Sequence, residues 1–112
     1  NDIIEAKNKF EKTSKIYPMM SMKEFEVPIE WSFEKKGNKY YSINKKYWFK
    51  DSKKIKKKYY DCASFVIYTK KQLLNNKNYF NFYAYVMQKH SAIDIDTESD
   101  WQYALKLYKF KN

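Results

Sequence analysis

The sequence predicts an α/β fold, and three observations carry that expectation. Stretches with helical spacing of apolar residues alternate along the chain with stretches of two-residue alternation. Aromatic residues make up 21% of the 112 residues against one glycine and two prolines, the composition of a folded chain. Near the carboxyl end, a strand-like run passes directly into a capped helix. A chain of this length forms at most one domain and buries about two thirds of the surface its unfolded form exposes.

The elements follow in order. Residues 2–12 read as a helix, because Ile3, Ala6, Lys7 and Phe10 lie near one stripe, Asp2 can cap the start, and Lys9 and Lys12 suit the end. Residues 15–22 read as a strand in which Pro18 marks an edge or the strand's beginning. Trp31-Ser32-Phe33 and Tyr40-Tyr41-Ser42-Ile43 flank Lys36-Gly37-Asn38, a hairpin signal that uses the single glycine. Residues 45–58 are the most basic run and lack periodicity, which predicts a loop or extended arm. Residues 60–68 return to strand and carry the lone Cys62 as a small buried hydrophobe. A short helix over 70–75 and a strand over 82–88 come next. The expected sheet contains residues 16–20, 63–68 and 83–87, with helices over 3–12 and 99–109 packed on it.

Four carboxylates fall within seven residues of this basic protein, at Asp94, Asp96, Glu98 and Asp100. Ile93 and Ile95 alternate with Asp94 and Asp96, so a strand would send both isoleucines to a core and both aspartates to the other face. Thr97 and Asp100 have the spacing of a capping box, with Trp101, Leu105 and Tyr108 at helical intervals behind it. Two interpretations stand at this point. The aspartates are solvated turn-formers ahead of a capped helix, or they are paired hard ligands for Mg²⁺, which takes one or two protein carboxylates and completes its octahedron with water and phosphate oxygens. His90, the single histidine, precedes them; it is either a general base or a strand-end residue packing on its neighbours.

The net charge of +10 raises the alternative of a small lysine-rich module that binds nucleic acid non-specifically through residues 45–58. All 23 basic residues are lysine, and the absence of guanidinium forks disfavours base readout. A third possibility is a bare interaction domain that pairs with its own copy through aromatic surface. No apolar run approaches a membrane span, and neither a signal peptide nor a cysteine-rich metal site is present, so a cytoplasmic protein with no membrane partner is expected.

Ile93-Asp94-Ile95-Asp96-Thr97-Glu98-Ser99-Asp100-Trp101 resembles the closing motif of the acylneuraminate cytidylyltransferases, which activate sialic, pseudaminic and legionaminic acids as CMP-sugars. Val27-Pro28-Ile29-Glu30-Trp31-Ser32 and the strand from Tyr60 to Tyr68 fit two further elements of that family in the same order. The resemblance runs over residues 2–109 and matches the carboxyl-terminal half of a family member. It implies a partial Rossmann-like nucleotide-diphospho-sugar transferase layer with an inserted β-hairpin or arm over residues 27–59, which serves the sugar site and a homodimer. It also implies Mg²⁺ held by Asp94 and Asp96, with CTP and a nonulosonic acid as substrates and no assigned catalytic residue. Two departures stand out. Ala63 occupies a position where the family usually has glycine, and of an Arg-Ser-Gln-Asp-like segment only Ser52 is kept, as the candidate substrate-binding residue. The Gly-, Arg- and Lys-rich loop that cradles triphosphate in the family's other half has no counterpart in these residues, which implies inactivity without that half.

Overall fold

The computed structural model of the protein describes residues 1–111 and is mixed α/β. Its regular elements are α1 (Asp2–Glu11), β1 (Met19–Glu24), β2 (Phe33–Lys36), β3 (Lys39–Ser42), β4 (Tyr59–Ile67), α2 (Lys70–Leu74), β5 (Tyr83–Val86) and α3 (Glu98–Lys111), joined in places by short 3₁₀ turns. Two compact units divide them. One comprises residues Asn1–Lys23 and the chain from Asp61 onward, and the other comprises Glu24–Tyr60.

The first unit is built on a three-stranded sheet in the order β4-β1-β5. β1 and β5 run parallel, with Met19 opposite Tyr83 and Met22 opposite Val86. Ser21 meets Phe65, while farther along β1's direction the Phe25 N–H donates to the Lys58 carbonyl at 2.9 Å, so β4 runs against β1. Pro18 is the last residue before β1 and is fully buried. There its missing N–H costs no ladder bond, while its carbonyl accepts the Tyr83 N–H at 2.9 Å. The strand therefore begins after the proline and lies at the sheet's centre rather than its edge, and Ile16, expected within it, is largely exposed.

Asn1, not Asp2, caps α1, its side chain accepting from the Ile3 N–H; Asp2 and Glu5 then sit in the first turn and Lys9 in the last, complementing the helix dipole. Ala6 and Phe10, one turn apart, form the buried core with Met19, and Phe65, Ile67, Tyr83 and Tyr85 pack around them. The Tyr85 hydroxyl shares its proton between Glu5 Oε2 at 2.8 Å and Asp2 Oδ1 at 2.9 Å, tying β5 to the helix start. Hydrogen bonding to the Glu5 carboxylate, followed by burial, raises the phenol well above its ordinary pKa of 10. α2 has a complete capping box between Thr69 and Gln72, and the Gln72 amide also donates to the Lys15 carbonyl at 3.0 Å.

β4 contains the position where the sequence departs from glycine. Ala63 has φ 58°, in the left-handed region, and its N–H is held by Asp61 Oδ1 at 2.8 Å. The strand bulges there, and the fully buried Ser21 fills the gap. Its Oγ accepts from the N–H groups of Ser64 (3.2 Å) and Phe65 (3.0 Å) and donates to the Phe65 carbonyl (3.0 Å). A non-glycine residue at such a φ is strained, so Ala63→Gly is expected to stabilise the chain by about 1 kcal/mol. A higher urea midpoint at unchanged m-value would register this gain, and an unaltered midpoint would count against the strain. Cys62, one residue earlier, is half-buried rather than fully enclosed.

In the second unit, β2 and β3 form the expected hairpin, with Lys36 opposite Lys39 and Gly37 at φ 63° in the first central turn position. Positive φ in the first of two loop residues suits a primed turn, whose twist matches the strands. The following lysine-rich stretch has no long regular element, only 3₁₀ turns at Lys45–Tyr47 and Ser52–Lys54. It is pinned at intervals. Trp31 Nε1 donates to the Tyr47 carbonyl at 2.9 Å, the Phe33 and Trp48 rings meet edge to face, and Lys58 pairs with the buried Glu30, holding that carboxyl below its ordinary range.

Candidate functional site

The acidic segment connects β5 to α3, and its conformation is fixed at both ends. On the helix side, Thr97 Oγ1 accepts the Asp100 N–H at 3.1 Å, while Asp100 Oδ2 accepts the N–H groups of Asp96 and Thr97, each at 3.0 Å. This is the predicted capping box, extended by one residue. Hydrogen bonds from the Asp96 backbone, then the Thr97 side chain and backbone, hold the Asp100 carboxyl below the ordinary aspartate value of 3.8. The sign follows from linkage. A depressed native pKa means that the cap contributes fully above pH 3.8 and is lost as pH falls from there through the lower native value. Acid titration followed by NMR is therefore expected to release the Asp96 and Thr97 amides below pH 3.8, and Asp100→Asn should remove that transition.

Residues 93–96 were expected as a strand and are not one. Alternation makes a strand only where a neighbour completes the ladder, and here the Asp96 N–H is already taken by Asp100. The segment has no regular secondary structure. Ile93 is half-buried whereas Ile95 is 46% exposed, so the two isoleucines do not share a core. Asp94 and Asp96 are both exposed. His90 lies beside α3, its Nδ1 3.4 Å from the Tyr103 hydroxyl, which is packing on a neighbour rather than contact with the aspartates.

Among the described residues, no three His, Cys, Asp or Glu side chains group as a metal cage. Two exposed carboxylates on one short segment nevertheless match the donor habit of Mg²⁺, which keeps several water or phosphate ligands, and do not match that of calcium or zinc, which need more protein donors. Ser52 belongs to the other unit. There Asp51 caps its 3₁₀ turn by accepting the Lys53 N–H at 3.0 Å, and Ser52 lines a cleft with Lys53, Lys56, Glu24 and Glu26. Not all of the basic run is available to a ligand, because Lys57 reaches Glu24 at 3.7 Å and Lys58 is committed to Glu30.

Sequence reasoning missed Lys23. It is only 8% exposed, and its ammonium donates to the carbonyls of Lys89 at 3.2 Å and Ala92 at 3.5 Å, in the turn just before the acidic pair. Its place in β1, on the same alternation as the buried Met19 and Ser21, was the available signal.

Comparison with known proteins finds a likeness to a nucleotidyltransferase, more particularly to a cytidylyltransferase. It is 32% identical over 89 residues to the pseudaminic acid cytidylyltransferase of Campylobacter jejuni subsp. jejuni serotype O:23/36 (strain 81-176), a match that covers 77% of this chain and 38% of that protein. The chain is a relative of the acylneuraminate cytidylyltransferase family, matching its carboxyl-terminal part, and it spans well under half of the relative's length. No family model matches. Among the described residues, no helix is long and apolar enough to cross a membrane.

Proposed function

We propose that this chain supplies the carboxyl-terminal part of a CMP-nonulosonic acid synthetase, which transfers CMP from CTP to a sialic-acid-like sugar and releases pyrophosphate. The observation that carries the proposal is the exposed Asp94 and Asp96 pair set directly ahead of the Thr97 and Asp100 box, in a chain 32% identical to a pseudaminic acid cytidylyltransferase. The β4-β1-β5 sheet with α1 is then part of a Rossmann-like layer, and the triphosphate-binding loop comes from the amino-terminal part of the enzyme.

In this proposal Asp94 and Asp96 hold Mg²⁺. The ion would neutralise charge on the triphosphate as the sugar hydroxyl displaces pyrophosphate. Asp100 fixes the backbone at Asp96 and so limits where that carboxylate can swing. Ser52, in the lysine-lined cleft, offers a hydroxyl to the anionic sugar, and residues 27–59 carry the dimer contact. A cytoplasmic setting belongs to the same proposal, since CTP is the donor.

The test joins this chain to the amino-terminal part of the Campylobacter relative by co-expression and measures pyrophosphate release with CTP, Mg²⁺ and pseudaminic acid. Turnover by the pair and none by either part alone is the expected result. A folded, associated pair that releases no pyrophosphate with any nonulosonic acid would overturn the proposal.

A further inference from the structure

Lys23 is a buried cation whose ammonium meets backbone carbonyls. Its side chain is enclosed in the first unit. A charge removed from water is costly unless the surroundings offset it, and here the carbonyl oxygens of Lys89 and Ala92 do so. Lys89 lies within one turn and Ala92 directly follows it. That turn closes with the Ser91 N–H donating to the Gln88 carbonyl at 3.0 Å and places Ala92 at φ 53°, a conformation an alanine adopts only when its surroundings hold it there. Two residues farther on is Asp94, and four farther on is Asp96, whose own N–H is held by Asp100. The acidic segment is thus clamped at one end by Lys23 and at the other by Asp100, with both aspartates in the short span between.

We propose that Lys23 is a positioning residue, its buried ammonium gripping the Lys89 to Ala92 turn so that Asp94 and Asp96 are presented together to a divalent cation. A long side chain rooted in the central strand β1 thereby transmits the rigidity of the sheet to a segment that has no ladder of its own. Methionine at this position matches the volume but cannot donate to the carbonyls. Since replacing a buried charge by an apolar residue of similar size is often neutral for stability, Lys23→Met should separate the grip from the fold. The consequence for a cation rests on the metal reading proposed above, whereas the grip itself does not.

The experiment uses the whole chain, labelled for NMR, with Mn²⁺ as the probe. In the parent chain the amides of residues 92–97 are expected to be ordered, with order parameters of about 0.85, and Mn²⁺ should broaden signals around Asp94 and Asp96 first. In Lys23→Met those order parameters should fall below about 0.6 while the amides of Met19 to Met22 keep their protection, and apparent Mn²⁺ affinity should drop about tenfold. Lys23→Arg, which retains the charge and the donors, should restore both. Unchanged order at residues 92–97 in Lys23→Met overturns the proposal, as does equal loosening of the sheet and the segment, which would make Lys23 a general stabiliser. Should Lys23→Met fail to fold, Lys23→Gln is judged by the same two readouts. Absence of Mn²⁺ broadening in the parent chain would refute the metal reading, and Lys23 would then stand or fall on the order parameters alone.

Discussion

In an enzyme completed with the amino-terminal part, Asp94→Asn and Asp96→Asn are each expected to reduce CMP transfer by about a hundredfold or more, with the fold intact. A metal that neutralises phosphate charge contributes several kcal/mol to the transition state, and each ~1.4 kcal/mol is a factor of ten in rate. Asparagine keeps the size and one oxygen of aspartate but loses the charge that makes it a ligand. The structure explains why stability should be spared, since both carboxylates are exposed and the cap of α3 is made by Thr97 and Asp100. The control is Thr97→Ala, which should cost about 1 kcal/mol of stability through the lost cap. Turnover within a factor of two of the parent in both aspartate variants would remove the metal assignment.

Ser21→Ala is expected to produce the largest loss of stability of any substitution in the sheet that changes so few atoms, on the order of 2 to 3 kcal/mol. One hydroxyl satisfies two amides and one carbonyl of the β4 bulge, and a buried donor left without a partner costs about 1 to 3 kcal/mol. The N–H groups of Ser64 and Phe65 both donate to this one side chain. Denaturant unfolding of Ser21→Ala, Ala63→Gly and the double variant measures the coupling. The two sites belong to one bulge, so their effects should not add. A loss below about 0.5 kcal/mol for Ser21→Ala would mean that water replaces the hydroxyl and the bulge is not held by it.

Much of this architecture was legible because certain residues admit few interpretations. Gly37 in a hairpin turn and Thr97 three residues before Asp100 each carry a local mechanism, and each lies where that mechanism requires, while Pro18 allowed an edge or a strand's beginning and lies at the latter. Ala63 stood out as a departure from glycine, and its φ gives that departure a physical meaning. The errors arose where a local pattern depended on a distant partner. Ile93 to Asp96 alternates like a strand, but the sheet offers it no ladder. The Asp96 amide is claimed from the helix side instead. Trp101 and Tyr108 repeat as a helix stripe yet remain exposed on α3, since spacing specifies a face and not what covers it. Lys23 was hidden by its type, because a lysine in a basic chain reads as solvated until the structure shows carbonyls around its ammonium. Ser52 could be singled out only through the family resemblance; nothing in its own neighbourhood of lysines distinguishes it.

The hydrogen bond from the Phe25 N–H to the Lys58 carbonyl brings the two ends of the Glu24–Tyr60 unit together, and this bears on how the chain can vary in length. A segment that leaves and re-enters through adjacent backbone positions exerts no tension on the strands it joins. Its closure entropy also grows slowly, by only about 0.6 kcal/mol for each doubling of loop length. Insertions and deletions between Val27 and Lys57 are thus thermodynamically cheap so long as that one hydrogen-bonded neck survives. A gene encoding this chain can lengthen, shorten or exchange the excursion while the sheet keeps its register.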